Sequence, residues 1–145
     1  MLGDYLTREV VQLDVEDLKT PEEVIRYGGQ LLMETGKITQ GYIEKMIESF
    51  SAIGPYIVMA PGIALPHARP SGDVLTPCIS MIRLKVPVCF GHFDNDPVQL
   101  VFTLGGKEDN SHIAILQELG SFLEKEGIVS KLLKIRSYEE LILLF

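Results

Sequence analysis

Ala60-Pro61-Gly62-Ile63-Ala64-Leu65-Pro66-His67-Ala68-Arg69-Pro70 is the stretch from which the rest of the chain can be read. Three prolines and one glycine stiffen it, and it carries one histidine at the end of an apolar run. Proline locks its own φ and pushes the preceding residue toward an extended backbone. Leu65 and Arg69 are therefore expected to be extended, with His67 fixed between them and the Arg69 cation two residues on.

Working outward and upstream, Tyr56-Ile57-Val58-Met59 reads as a short buried strand leading into this segment. Before it, Thr39 caps a helix whose stripe is Ile43, Met46, Ile47, Phe50 and Ile53, stopped by Gly54-Pro55. Thr20-Pro21-Glu22-Glu23 opens an earlier helix with a capping box and a proline at its first position. Val24, Tyr27, Gly28, Leu31 and Leu32 form its inner face, and Val10–Val15 is an apolar, β-branched first strand. Downstream, Ser71-Gly72-Asp73 is a turn, Cys78–Val86 a strand leaving the core, Phe90–Pro97 a polar loop, and Val98–Leu104 a strand ended by Gly105-Gly106. Ser111 is expected to cap a helix running to about Lys125 with the stripe Ile115, Leu116, Leu119, Phe122 and Leu123. A short helix through Val129, Leu132 and Leu133 and a last one opened by Ser137-Tyr138-Glu139-Glu140 complete the chain. Strands interleaved with helices define an α/β domain with a mostly buried sheet under helices. The length of 145 residues fits one domain, residues 1–145.

Composition narrows the class of function. Thirteen basic against twenty acidic residues give a net charge of −7, which argues against a nucleic-acid or anionic-membrane surface. No apolar run reaches the roughly 18 residues of a membrane span, and the first residues lack the pattern of a signal peptide. A cytoplasmic location is expected. Two cysteines, Cys78 and Cys89, make no zinc framework and are expected to be buried thiols in strands.

Three histidines are the candidates for chemistry: His67, His92 and His112. An ordinary pKa of about 6.5 leaves a neutral, nucleophilic imidazole near pH 7. His112 falls in the first turn of its helix, three and four residues before Ile115 and Leu116, so it shares the inward face. That helix start also offers free backbone N–H groups and the positive end of the dipole to an anion. The plainer alternative is a histidine bonded to its own cap. His67 could attack phosphorus or an acyl carbon, bind a metal, or be a partly buried turn residue. Arg69 could pair with phosphate oxygens or be a solvated charge. His92 lies among Asp94, Asn95 and Asp96 in what reads as a solvated turn, without calcium-loop spacing. No histidine pair has metal-site spacing, and Gly105-Gly106-Lys107 is followed by Glu108 where a phosphate-binding loop needs Ser or Thr. The residues thus point to a histidine-centred anion or phosphoryl site, with His67 and His112 converging at one end of the sheet.

Pro61-Gly62-Ile63-Ala64-Leu65-Pro66-His67, with Asn110-Ser111-His112-Ile113 downstream, resembles the mannitol/fructose-type enzyme IIA domain of the bacterial phosphoenolpyruvate-dependent sugar phosphotransferase system. The strings Gly54–Ala60 and His67–Pro70 look most like the ascorbate-type branch. The resemblance implies an α/β domain with a mixed sheet flanked by helices on both faces, and no metal. It implies that His67 takes a phosphoryl group, on Nε2, from the phosphohistidine of the carrier HPr and passes it to a IIB component that serves a membrane IIC transporter. It implies that His112 stands beside that phosphoryl group. Ser111, at the helix start, joins the expected phosphate-binding set. An arginine upstream of the motif in the mannitol-type branch is replaced here by Ser51, and Arg69 is the candidate to supply that charge. Because donor and acceptor would be proteins, an exposed apolar rim of Ile63, Leu65 and Pro70 is expected. A regulatory IIA-like protein, controlling a partner through its phosphorylation state, is the alternative of the same fold. An anion-binding module is another.

Overall fold

The computed structural model describes residues 1–145. Its strands are β1 (Val11–Val15), β2 (Val58–Ala60), β3 (Ile63–Ala64), β4 (Cys78–Val88) and β5 (Val98–Gly105). Its helices are α1 (Leu2–Tyr5), α2 (Pro21–Glu34), α3 (Gln40–Ile53), α4 (Asp109–Leu123), α5 (Ile128–Lys134) and α6 (Tyr138–Ile142). The strands form one mixed sheet in the order β1-β4-β5-β3-β2. β1 runs parallel to β4 and β3 parallel to β5, while β4–β5 and β2–β3 are antiparallel.

Alternation along the two central strands divides the core into two. On β4 and β5, Ile82, Leu84, Val98 and Val101 pack with α2 and α3, while Ile79, Met81, Leu100, Phe102 and Leu104 pack with α4, α5 and α6. A sheet apolar on both faces needs cover on both. Burying one such side chain is worth about 1.5–3 kcal/mol.

Local chemistry sets the helix ends. Thr20 accepts a hydrogen bond from the Glu23 N–H and the Glu23 carboxylate accepts from the Thr20 N–H, closing the expected capping box. α3 ends at Gly54, whose φ of 97° is open to glycine at little cost.

Several expectations are corrected. Tyr56–Met59 is not a buried strand: the strand begins at Val58, and Tyr56 and Met59 are exposed. The central motif instead makes a tight hairpin, β2 to β3, through Pro61-Gly62, with Gly62 at φ 74°. Only one thiol is buried. Cys78 starts β4 in the core, whereas Cys89 follows Lys85, Val86 and Pro87 out into solvent and is exposed. Ile53 is exposed at 69%, while Tyr42, outside the expected stripe, is buried in the core.

Candidate functional site

β3 lies inside the sheet, between β5 and β2, and delivers the segment Leu65–Ala68 to the sheet's end. Almost every polar backbone atom of that segment is held. The Leu65 N–H donates to Ile57 O (2.8 Å), and Pro66 O accepts from the Leu104 N–H (3.0 Å). His67 O accepts from the Tyr56 hydroxyl (3.2 Å), and the Ala68 N–H donates to the Tyr42 hydroxyl (3.0 Å). Proline at positions 61, 66 and 70 removes backbone freedom that these bonds would otherwise have to restrain.

Within this frame His67 is half-buried, and its Nδ1 lies 2.6 Å from the Leu65 carbonyl oxygen. A carbonyl only accepts, so Nδ1 carries the proton. In the neutral ring Nε2 then keeps its lone pair, which is the nucleophilic form. The Tyr56 ring stands edge-on to the imidazole, centroids 5.7 Å apart at 84°.

His112 comes from the other side. β5 ends at Gly105, and α4 starts with Glu108 as its N-cap. The ring of His112 reaches within 5.3 Å of the His67 ring, centroid to centroid. Its Nδ1 is buried without a hydrogen-bond partner. Gly106 makes this approach possible: a Cβ there would lie 2.5 Å from both Cα and Cβ of His112.

Burial holds the His67 imidazole below the usual histidine range, against the opposing pull of its bond to Leu65. Burial lowers His112 as well, the neighbouring His67 adds to the effect, and Asp109 opposes it. Both rings are therefore held neutral at pH 7. Thiol chemistry is not available nearby, because burial pushes the Cys78 thiol up to about 12.

The other expected residues are placed differently. Ser111 is not the helix cap. Its hydroxyl accepts from the Glu108 N–H and donates to Glu108 O, so it serves the helix start from one turn inside. Arg69 is exposed along a groove with Lys45, Glu48, Ser49, Ile53 and Pro70. Ser51 is exposed on α3. The expected apolar rim is corrected in part: Ile63 and Leu65 are buried because β3 is an interior strand, Pro70 stays half-exposed, and exposed apolar groups near the pair include Tyr56, beside His67, and Ile113, next to His112. His92 stands apart from the pair, stacked on Phe93 with its Nδ1 accepting from the N–H groups of Asp94 and Asn95. No group of histidines, cysteines and carboxylates is arranged to hold a metal.

Two residues escaped the sequence reading. Tyr42 sits one place before the Ile43 stripe, and only its long-range bonds reveal it. Gly106 reads as a strand-end turn, and its need for a missing side chain shows only in three dimensions.

A mixed α/β sheet presenting two neutral, facing histidines defines a histidine-centred α/β domain. The chain belongs to the family described as phosphoenolpyruvate-dependent sugar phosphotransferase system, EIIA 2, which it matches over residues 4–145. It is 33% identical over 113 residues to the ascorbate-specific EIIA component of Escherichia coli K12, covering 77% of this chain and 73% of that protein. The solution structure of the mannitol-specific cryptic enzyme IIA CmtB from Escherichia coli superposes with a TM-score of 0.87 at 31% identity, covering 99% of this chain and 96% of that one. The mannitol IIA of Escherichia coli, solved in complex with phosphorylated IIB, shares the fold at 24% identity with a TM-score of 0.82, over 95% and 94% of the two chains. No helix of the chain is long and apolar enough to cross a membrane.

Proposed function

We propose that this chain is a IIA phosphocarrier in which Nε2 of His67 receives a phosphoryl group from phospho-HPr and hands it to a IIB component. The observation that supports this most is the Nδ1–H bond to Leu65 O, which leaves a fixed lone pair on Nε2 beside a second neutral imidazole. In the transfer, the lone pair of Nε2 forms the new N–P bond while the P–N bond to the donor histidine breaks. Nδ1 keeps its proton. The ring becomes formally cationic, and the Leu65 carbonyl stabilises that charge. The same cationic ring is a good leaving group for the onward step, so the bond stays transferable.

Phosphoryl transfer asks for in-line positioning and for charge stabilisation on the equatorial oxygens. The bonds along Leu65–Ala68 supply the first. For the second, His112 is the principal group, since a phosphoryl oxygen would give its buried Nδ1 a partner. Arg69, with no ion pair to give up, can swing toward the dianion. The Ser111 hydroxyl is engaged by Glu108, so its part is to hold the helix start that carries His112. Tyr56 and Ile113 form the apolar part of the surface that partners meet. The ascorbate-specific relatives favour ascorbate uptake, with IIB relaying the group to a membrane IIC component, and a cytoplasmic site of action follows from those partners. Residues 1–145 act as one domain.

The test is to incubate the protein with phosphoenolpyruvate, enzyme I and HPr. One acid-labile phosphate is expected, absent in His67→Ala, and transferable to an ascorbate-type IIB. Labelling that survives the substitution overturns the proposal. Labelling without onward transfer to any IIB favours the regulatory alternative.

A further inference from the structure

His67 and His112 belong to different elements, and no hydrogen bond joins their rings. Their separation must be set by what ties the Leu65–Ala68 segment to the end of β5. Two connections do so. One is the Leu104 N–H to Pro66 O bond. The other runs through Tyr42, whose hydroxyl accepts from the Ala68 N–H at 3.0 Å and donates to Leu104 O at 2.9 Å, with Ala68 O as a longer second acceptor at 3.3 Å. Ala68 directly follows His67. Leu104 leads through Gly105 to Gly106, the residue against which the backbone of His112 packs.

We propose that Tyr42 is a positioning residue, whose hydroxyl fixes the distance between His67 and His112 by bridging Ala68 N–H and Leu104 C=O. The ring is wholly buried on α3, so the hydroxyl sits on a rigid mount. Burial also raises its pKa well above the ordinary phenol value, so it remains a donor at every working pH. The Ala68 N–H has no other partner. A phenylalanine would fill the same space and leave both Ala68 N–H and Leu104 C=O without this link.

This inference rests on the proposed phosphocarrier role for its kinetic readout only. Tyr42→Phe is compared with Ile43→Val, a neighbouring core change that removes one methyl group and leaves the bridge intact. In Tyr42→Phe the rate of labelling by phospho-HPr should fall about tenfold or more, since small misplacements of reacting groups are costly. The NMR titration of His112 should also move up part of the way, because burial still lowers it while the smaller effect of His67 weakens. Ile43→Val should change neither. If Tyr42→Phe folds and leaves both the titration and the rate as in wild type, the inference is wrong. If wild type is not labelled at all, the carrier role fails, but the titration comparison still decides the role of Tyr42. A measurement on the wild type guards against a variant that does not fold: the Ala68 amide should exchange with deuterium as slowly as the Leu104 amide, and rapid exchange would contradict the bridge.

Discussion

Two histidine-bearing turns flank β3, and they use their rings in opposite senses. At the start of the strand, the Phe90–Pro97 loop, which comes later in the chain, is tied to it by the Gly62 N–H to Asn95 O bond. There His92 accepts from two backbone N–H groups through Nδ1, and the Asp96 carboxylate accepts from three more, those of Phe90, Gly91 and His92. After the strand, His67 donates from Nδ1 to a backbone carbonyl. The backbone around each ring has chosen its tautomer. At His92 the Nδ1 lone pair is spent on the loop, and the remaining nitrogen carries the proton. At His67 the proton is spent and the Nε2 lone pair is left over. Sequence composition treats these residues alike; the direction of one hydrogen bond separates a ring committed to its loop from one that keeps a free Nε2 lone pair.

The sharpest way to break this comparison is to remove each ring in turn. His67→Ala should abolish labelling by phospho-HPr altogether while the circular dichroism spectrum stays native. His112→Ala should lower the labelling rate by about 10²-fold, the size of losing one preorganised donor to a charged transition state, as read from quench-flow time courses. Gly106→Ala forces a Cβ to within 2.5 Å of His112 backbone and side-chain atoms. It should cost about 1–3 kcal/mol in urea denaturation by overpacking, and slow labelling about tenfold by displacing the start of α4. His92→Ala should cost only about 1 kcal/mol, since water can reach the loop N–H groups it uncovers, and should leave the labelling rate unchanged. A large rate loss in His92→Ala would mean that the two turns are not functionally distinct.

The smallest effect is a pH dependence. His67 and His112 are both held below the ordinary histidine value, chiefly by burial. The unfolded chain therefore binds more protons than the folded one in the window below about pH 6.5. Their contribution to stability is complete above that pH and is lost as the pH falls through the window toward the lower folded values. The urea midpoint of wild type should drop more between pH 7.5 and pH 5.5 than that of His67→Gln/His112→Gln. Equal drops would show that the rings are not buried neutral.

Local signals carried much of this molecule. The Thr20 box, the Gly54 stop and the placement of His112 in an inward-facing first turn all depend on neighbours within a few residues, and sequence shows such neighbours directly. What failed depended on distance. Ile63 and Leu65 read as rim residues because nothing local says that β3 takes an interior place between β5 and β2. Tyr42 bonds to residues 26 and 62 positions away, and no pattern on α3 announces that. Serine favours the cap position, which points to Ser111, yet the chain enters the helix three residues earlier, at Glu108. The motif singles out His67, but its tautomer shows only in the Leu65 carbonyl at 2.6 Å.

That tautomer is the centre of the account, and the most direct measurement is the nitrogen that carries the phosphate. Protein labelled with ¹⁵N-histidine, phosphorylated through HPr and observed by ³¹P–¹⁵N NMR, should show a single coupling, to Nε2 of His67, with Nδ1 still bearing its proton. A phosphate on Nδ1 of His67, or on His92 or His112, would contradict it.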